Sequence, residues 1–453
     1  MRRERLEQAM NEISDKHIAE AVNKKKQVRL TWIGSMAAAL AVVILGLAVL
    51  RPFAAAKAVS EADYPKYAWV SRHDQMEKEL PLLEDFFAES MTQTLSGSTK
   101  NQTYSPVNLY MALCLMAELS DSNEQILTLL NANDRQSLQE QANLIWNATY
   151  RDEGDQTLLA NSVWLDKGLD YNQDVMDTLA ENYYTDVYKG NLQSRQTAGA
   201  IQTWLNGNTG RMLKSDVDNL QVDPLTVMLL YSTVYYQAKW SDSVEFNRAM
   251  NTEGAFHTPN GDIECTYMNK KLMQTFYYWA EDFGAVSLSL KDGSRMWILL
   301  PDEDKTTDDV LSSEEFSQMV FTPSYETYEN SKYMLVNLSV PKFDIRASGD
   351  LREDLEAMGV TDVFDPQASD FSGTLYDHRD FADFNPYISA VNQATRVAID
   401  EKGVTAASYI ELPMAGAAAP PDEIIDFIVD RPFVFVIANR YGIPLFAGVV
   451  NEP

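Results

Sequence analysis

Four histidines, two cysteines and a surplus of carboxylates are the side chains of this 453-residue chain that could do covalent or metal chemistry. His17, His73, His257 and His378 are scattered along it. A zinc site or a histidine-based triad would have to gather its members from unrelated places. There is no G-x-S-x-G, no H-E-x-x-H, no Walker loop and no G-x-G-x-x-G. Cys114 and Cys265 are too few for a disulfide framework in a chain this long and lie far apart, so two free thiols are expected. With 66 Asp and Glu, pairs of carboxylates arise throughout and no single pair is informative. The expectation is therefore a protein that is not an enzyme and carries neither metal nor cofactor.

Charge narrows the partners. The formal net charge is -29, from 37 basic and 66 acidic residues. Phosphate backbones need a basic surface, so nucleic acid is not expected. An acidic surface repels its own kind and attracts cationic partners.

The charge is uneven: residues 1–51 hold nine Lys or Arg against five Asp or Glu. Lys24, Lys25, Lys26 and Arg29 precede Thr31–Leu50, TWIGSMAAALAVVILGLAVL, which has no charge. About twenty residues rising about 1.5 Å each span about 30 Å, the hydrocarbon thickness of a bilayer. The basic cluster on its N-terminal side predicts that residues 1–30 stay in the cytoplasm and the bulk is exported. A cleaved signal peptide ending in Ala54-Ala55-Ala56-Lys57-Ala58 is the rival; roughly thirty residues ahead of the apolar core favour an uncleaved anchor. No Cys follows the apolar run, so a lipoprotein anchor is not expected. The predicted plan is a cytoplasmic segment 1–30, a transmembrane helix 31–50, a tether 51–75 and an extracellular domain 76–453, single-pass in a cell membrane, with a bacterial surface as the natural setting. Leu6, Met10, Ile13, Ile18 and Val22 have near-helical spacing, read as a solvated helix leading to the membrane rather than a docking helix.

The exported part mixes both periodicities without internal repeats. Leu80–Leu95, Asp174–Tyr184 and Leu351–Met358 read as helices, the last with Gly359 as its stop. Val227–Trp240 is rich in β-branched and aromatic residues, like a central strand. Asn260-Gly261 between apolar runs marks a hairpin, and Val336–Phe343 and Phe433–Ile437 read as strands. The fold class expected is α+β with large, mostly antiparallel sheets.

Val397–Pro453 then carries a resemblance. Asp400-Glu401-Lys402-Gly403 followed by Val404-Thr405-Ala406-Ala407-Ser408, the block Asp430–Phe433 and the strand Leu445-Phe446-Ala447-Gly448 are similar to the C-terminal signature of the serpins. Ser105-Pro106-Val107-Asn108, Ala160–Trp164, Ile201–Met212, Tyr235–Trp240, Pro341–Phe343 and Asp370–Gly373 resemble further serpin blocks, in family order. The resemblance covers about 375 residues. It implies a serpin fold: a large mixed, mostly antiparallel central sheet, further sheets, about eight or nine helices and an exposed reactive loop.

The resemblance also implies a mechanism in which the chemistry belongs to the victim. A serine protease attacks the loop as substrate, and the cut loop enters the central sheet as a new strand before the acyl-enzyme is resolved. The hinge would be Glu401, Gly403, Val404, Thr405, Ala406, Ala407 and Ser408. A strand alternates faces, so Val404, Ala406, Ser408 and Ile410 would point one way, and none is charged. Counting about sixteen residues from Glu401 places the reactive bond at Ala417–Ala418, and Pro420-Pro421 sits at the matching offset, with Met414 the alternative. A small bait residue suits an elastase-like or subtilisin-like serine protease, with a cysteine protease a further candidate partner, and the inhibitor would act as a monomer.

The sheet-opening region would comprise Ser105, Asn108, Ser232, Trp240 and Gln393. Three residues depart from the family pattern: Gln393 stands for a His, Asn108 for a Ser and Ser232 for an Asn. The last two form a reciprocal swap that would keep one hydrogen bond. The alternative is a non-inhibitory serpin acting as a binding module or membrane-tethered sensor.

Overall fold

Helix Pro106–Leu119 is apolar apart from Asn108 and Glu118, and all its residues are buried. Pro106 occupies its first turn and Ser105 caps it, Oγ accepting from the Asn108 N–H at 3.3 Å. Against it lies a seven-stranded sheet. In this computed structural model residues 56–62, 64, 73–152, 154–210, 222, 226–322, 328–377, 385–404 and 423–453 are described. Ala55–Pro453 forms one compact unit.

The strands in chain order begin with β1 (Ala56–Ser60), β2 (Gln102–Tyr104), β3 (Gln156–Asp166), β4 (Leu169–Tyr171), β5 (Thr185–Gly190) and β6 (Met228–Lys239). There follow β7 (Thr252–Thr258), β8 (Gly261–Trp279), β9 (Phe283–Ser289), β10 (Arg295–Pro301), β11 (Ser331–Pro341) and β12 (Phe343–Asp350). The last six are β13 (Leu375–Asp377), β14 (Asn392–Asp400), β15 (Gly403–Val404), β16 (Ile424–Ile428), β17 (Phe433–Ala438) and β18 (Pro444–Val450).

The central sheet runs β1-β5-β3-β6-β15-β14-β12; β3 and β5 are parallel, and its other pairs antiparallel. A nine-stranded sheet follows the path β16-β11-β8-β9-β10-β17-β18-β2, with β7 paired to β8, and β4 with β13 makes a two-stranded sheet. β17 and β18 are buried along their whole length, which explains their unbroken apolar sequences. Nine α-helices lie among the described residues. The helix Arg195–Asn208, capped by Ser194, buries Thr197, Ala200, Ile201, Trp204 and Leu205 on one face and packs on β3 and β6.

Most expected elements are present. Met228–Lys239 is the central strand, and β7 and β8 form the hairpin around Asn260, closing with Thr258 opposite Gly261. The helix Arg352–Ala357 ends ahead of Gly359, whose φ of +89° few other residues tolerate. Cys114 and Cys265 are free thiols, the first buried.

Of the expected tether 51–75, residues 51–55, 63 and 65–72 lie outside the described residues; Ala56–Ser60 is corrected to β1, an edge strand antiparallel to β5, in a compact unit that starts at Ala55 rather than residue 76. Its AKAVS sequence has no clear alternation; the free edge of β5 makes it a strand. Ser60 Oγ donates to Asp177 at 2.7 Å, and Ala62 N–H to Asp186 at 3.1 Å. The predicted transmembrane segment 31–50 and cytoplasmic segment 1–30 lie outside the described residues; among the described residues no helix is long and apolar enough to cross a membrane.

Candidate functional site

β14 climbs the sheet to Asp400, and the chain then reverses. Asp400 Oδ1 accepts from the Lys402 N–H at 2.8 Å and the Gly403 N–H at 3.2 Å, closing a tight turn. Gly403 and Val404 come back down as β15, between β14 and β6. Gly403 lies opposite Lys239 and Asp400; Val404 lies opposite Ala238 and Ile399. A Cβ on Gly403 would stand 2.2 Å from the Ala238 carbonyl oxygen, so only glycine fits. Val404 is 3% exposed and joins the main core.

Two groups latch this turn. Trp240, buried at the end of β6, donates Nε1–H to the Asp400 carbonyl at 2.8 Å and its backbone N–H to the Lys402 carbonyl at 3.0 Å. Glu401 meets Lys342 Nζ and accepts from Asn251 Nδ2 at 2.7 Å. Partial burial opposes its charge, but the hydrogen bonds from Lys342 and Asn251 outweigh it and hold the carboxyl below its ordinary range. Beside the latch the Arg396 guanidinium grips Asp344 with two bonds of 2.7 and 2.6 Å, tying β14 to β12 and holding Asp344 below the usual carboxylate range.

Below Val404 the sheet parts. Among the described residues β6 and β14 each pair with β15 and not with each other. A cleft lies between them, lined by Val234, Tyr236, Ala394, Thr395, Val397 and Val404. Tyr236 is buried and donates to Asp292 at 3.2 Å, and burial raises its pKa well above the ordinary value. Thr395 Oγ1 donates to the Thr103 carbonyl at 2.6 Å, joining β14 to β2 behind the sheet.

Gln393 also holds β14 from behind. Its Oε1 accepts from the Ser105 N–H at 2.7 Å, and its Nε2 donates to the Ser105 carbonyl at 3.2 Å. Ser105 Oγ in turn donates to the Leu445 carbonyl at 2.6 Å.

The expected sheet-opening set thus falls into two places. Ser105, Asn108, Ser232 and Gln393 belong to the helix start and the middle of the sheet. Trp240 lies eight residues along β6 from Ser232, about 26 Å at roughly 3.3 Å per residue, and belongs to the hinge latch. The hydrogen bond expected from the Asn108–Ser232 swap is not formed: Asn108 Oδ1 is buried without a partner. A swap that puts the longer side chain on the helix moves the meeting point of the pair toward β6. Ser232 sits across from Asn161 of β3, whose own Oδ1 is also buried and unpartnered.

Of the predicted hinge, Glu401, Gly403 and Val404 are placed; Thr405, Ala406, Ala407 and Ser408 lie outside the described residues, as do Met414, Ala417 and Ala418. Sequence reasoning missed Lys342, Asn251 and Thr395 as partners of the hinge strands. Lys342 was in view within Pro341-Lys342-Phe343, but its pairing across 59 positions has no local signal.

Known proteins agree with this architecture. The family described as Serpin (serine protease inhibitor) matches residues 83–453. An uncharacterized serpin-like protein of Methanosarcina acetivorans is 26% identical over 392 residues, covering 83% of this chain and 87% of its own. Leukocyte elastase inhibitor of Homo sapiens is 27% identical over 303 residues, covering 65% of this chain and 77% of its own. The native-state structure of the thermophilic serpin tengpin superposes with a TM-score of 0.72 at 24% identity, covering 87% of this chain and 97% of that one. With the family matched across most of its length and the hinge strand docked between β6 and β14, the chain belongs to the serpins, a family of protease inhibitors rather than catalysts.

Proposed function

We propose that this serpin is a suicide inhibitor of serine proteases that prefer a small bait residue, elastase-like or subtilisin-like. The protease seryl oxygen adds to the Ala417 carbonyl, the Ala417–Ala418 bond breaks with the new amine left on Ala418, and an ester to Ala417 remains. The freed loop then enters the cleft.

The observation that carries this reading is β15. Its two residues already sit in strand register between β6 and β14, with Val404 in the core. Continued in that register, Ala406 falls opposite Tyr236 and Val397, Ser408 opposite Val234 and Thr395, and Ile410 opposite Ser232 and Gln393. β6 begins at Met228, so the slot takes residues 404–414. Pro413, which cannot donate to a ladder, would fall past Asn392, the first residue of β14, where little pairing is lost. Insertion would carry Ala417 about 43 Å from Val404, at about 3.3 Å per residue.

The small residues Ala415, Gly416, Ala418 and Ala419 around the bond favour a small apolar specificity pocket. The name of the human relative, an elastase inhibitor, points the same way. The net charge of -29 favours cationic proteases at low salt. Thr31–Leu50 is proposed to anchor the protein in a cell membrane with the serpin domain outside.

Loop cleavage tests insertion. After nicking in the loop with a metalloprotease, which forms no acyl-enzyme and so escapes trapping, the chain should withstand far more heat and denaturant than the intact chain. A nicked chain that melts with the intact one would overturn the proposal.

A further inference from the structure

Two short strands outside the central sheet bridge the halves that the cleft divides. β4 follows β3 after Lys167 and Gly168, at the end of the sheet opposite the hinge. Its residues Leu169, Asp170 and Tyr171 pair with Asp377, Tyr376 and Leu375 of β13. The ladder runs on beyond the strands: the Asn172 N–H donates to the Thr374 carbonyl at 2.9 Å, and Asn172 Nδ2 to the Gly373 carbonyl at 3.1 Å. Leu169, Thr374 and Leu375 are buried, and Tyr376 is 48% exposed.

The two strands belong to different blocks. β4 goes with β3, which pairs with β6 from Gln156 to Leu165 and with β5 on its other side. β13 goes with the opposite wall of the cleft. Just ahead of it the Gly373 N–H donates to Asp121 at 2.9 Å, and the Asp370 carbonyl accepts from the Asp121 N–H at 2.7 Å. Asp121 follows the buried helix Pro106–Leu119, whose cap Ser105 is bound to Gln393 of β14. Widening the cleft therefore loads the bridge. The cleft holds about 20 Å³, less than the roughly 30 Å³ that one water molecule takes up in the liquid. A strand needs about 4.8 Å of sheet width, so β6 and β14 must move apart for one to enter. A hydrogen bond of 2.9 Å is lost by about 3.6 Å, so the ladder either gives way or holds the blocks together.

We propose that the β4–β13 bridge is a brake on the central sheet: it holds the lower ends of the two blocks together and sets how readily a strand enters between β6 and β14. The proposal rests on the insertion reading and adds a determinant outside the loop. At the hinge end β15 already fills the slot, so the brake acts where the sheet has still to open.

The test locks and unlocks the bridge in the full chain. Asp170 and Tyr376 face each other in the ladder, and directly opposed residues of this kind, about 5.5 Å apart at Cα, lie within reach of a disulfide. The variant Asp170→Cys with Tyr376→Cys is nicked in the loop with a metalloprotease. Wild type should gain heat resistance with or without reductant. The oxidised variant should gain none, and reduction after nicking should release the gain. Tyr376 is the hydrogen-bonded position two residues along from Thr374. Tyr376→Pro removes that donor at an exposed site and should speed the spontaneous loss of inhibitory activity about fivefold. Tyr376→Ala keeps the N–H and should match wild type. Equal gains for the oxidised and reduced double variant would overturn the proposal, as would a Tyr376→Pro rate equal to that of Tyr376→Ala. A wild-type chain that gains nothing on nicking would remove the insertion reading itself.

Discussion

The side-chain amide of Gln393 binds both backbone polar groups of Ser105, accepting from its N–H at 2.7 Å and donating to its carbonyl at 3.2 Å. One residue thus ties the strand flanking the cleft to the cap of the buried helix behind it. Gln393→Ala breaks both bonds and should cost about 1–3 kcal/mol. Because the tie restrains β14, the variant should also convert faster to an inserted, inactive form. Thermal melting and the loss of inhibitory activity on incubation check the two effects.

Glu401 answers to pH. Its carboxyl is held below the ordinary range, so its contribution is present above the unfolded-state pKa of about 4.3 and is lost as pH falls through the lower folded value. At neutral pH Glu401→Gln should lower stability by about 1–2 kcal/mol through its weaker bond to Lys342. Wild-type and variant melting temperatures should converge as pH drops below about 4. A constant gap across pH 3–7 would show that the charge is not what Lys342 reads.

Alternation can be tested on the loop itself. On insertion Ala406 would continue the inward face of Val404, and Ala407 would take the outward face. Ala406→Asp would bury a charge against Tyr236 and Val397 at a cost of several kcal/mol. It should turn the inhibitor into a substrate, raising the stoichiometry of inhibition at least about tenfold with the cleavage rate unchanged. Ala407→Asp should inhibit nearly as well as wild type. Titration of protease activity against inhibitor separates the two.

Asn108 leaves an acceptor buried without a partner. Asn108→Ser removes that acceptor and should raise stability by about 1 kcal/mol, unlike most changes in a buried helix. Denaturant unfolding measures it.

Where local chemistry decides, the sequence was readable. Asn260-Gly261 turns a hairpin, Gly359 stops a helix, and the apolar run ending at Trp240 forms the central strand. The hinge is an expectation carried by resemblance; of it, the structure places Gly403 and Val404 in the sheet. What stayed hidden depends on partners far along the chain. Ala56–Ser60 is a strand only because β5 offers an edge 127–134 residues later. The role of Gln393 depends on Ser105, 288 positions away. The Asn108–Ser232 swap matched by atom type, but type says nothing about where two side chains from different backbones meet.

The account turns on covalent trapping at one bond. The most direct measurement mixes the chain with pancreatic elastase, resolves the products on a denaturing gel and sequences the released C-terminal fragment. The account predicts a band of summed mass that survives denaturant and a fragment that begins at Ala418. Clean cleavage with no such band, repeated with subtilisin, would contradict it.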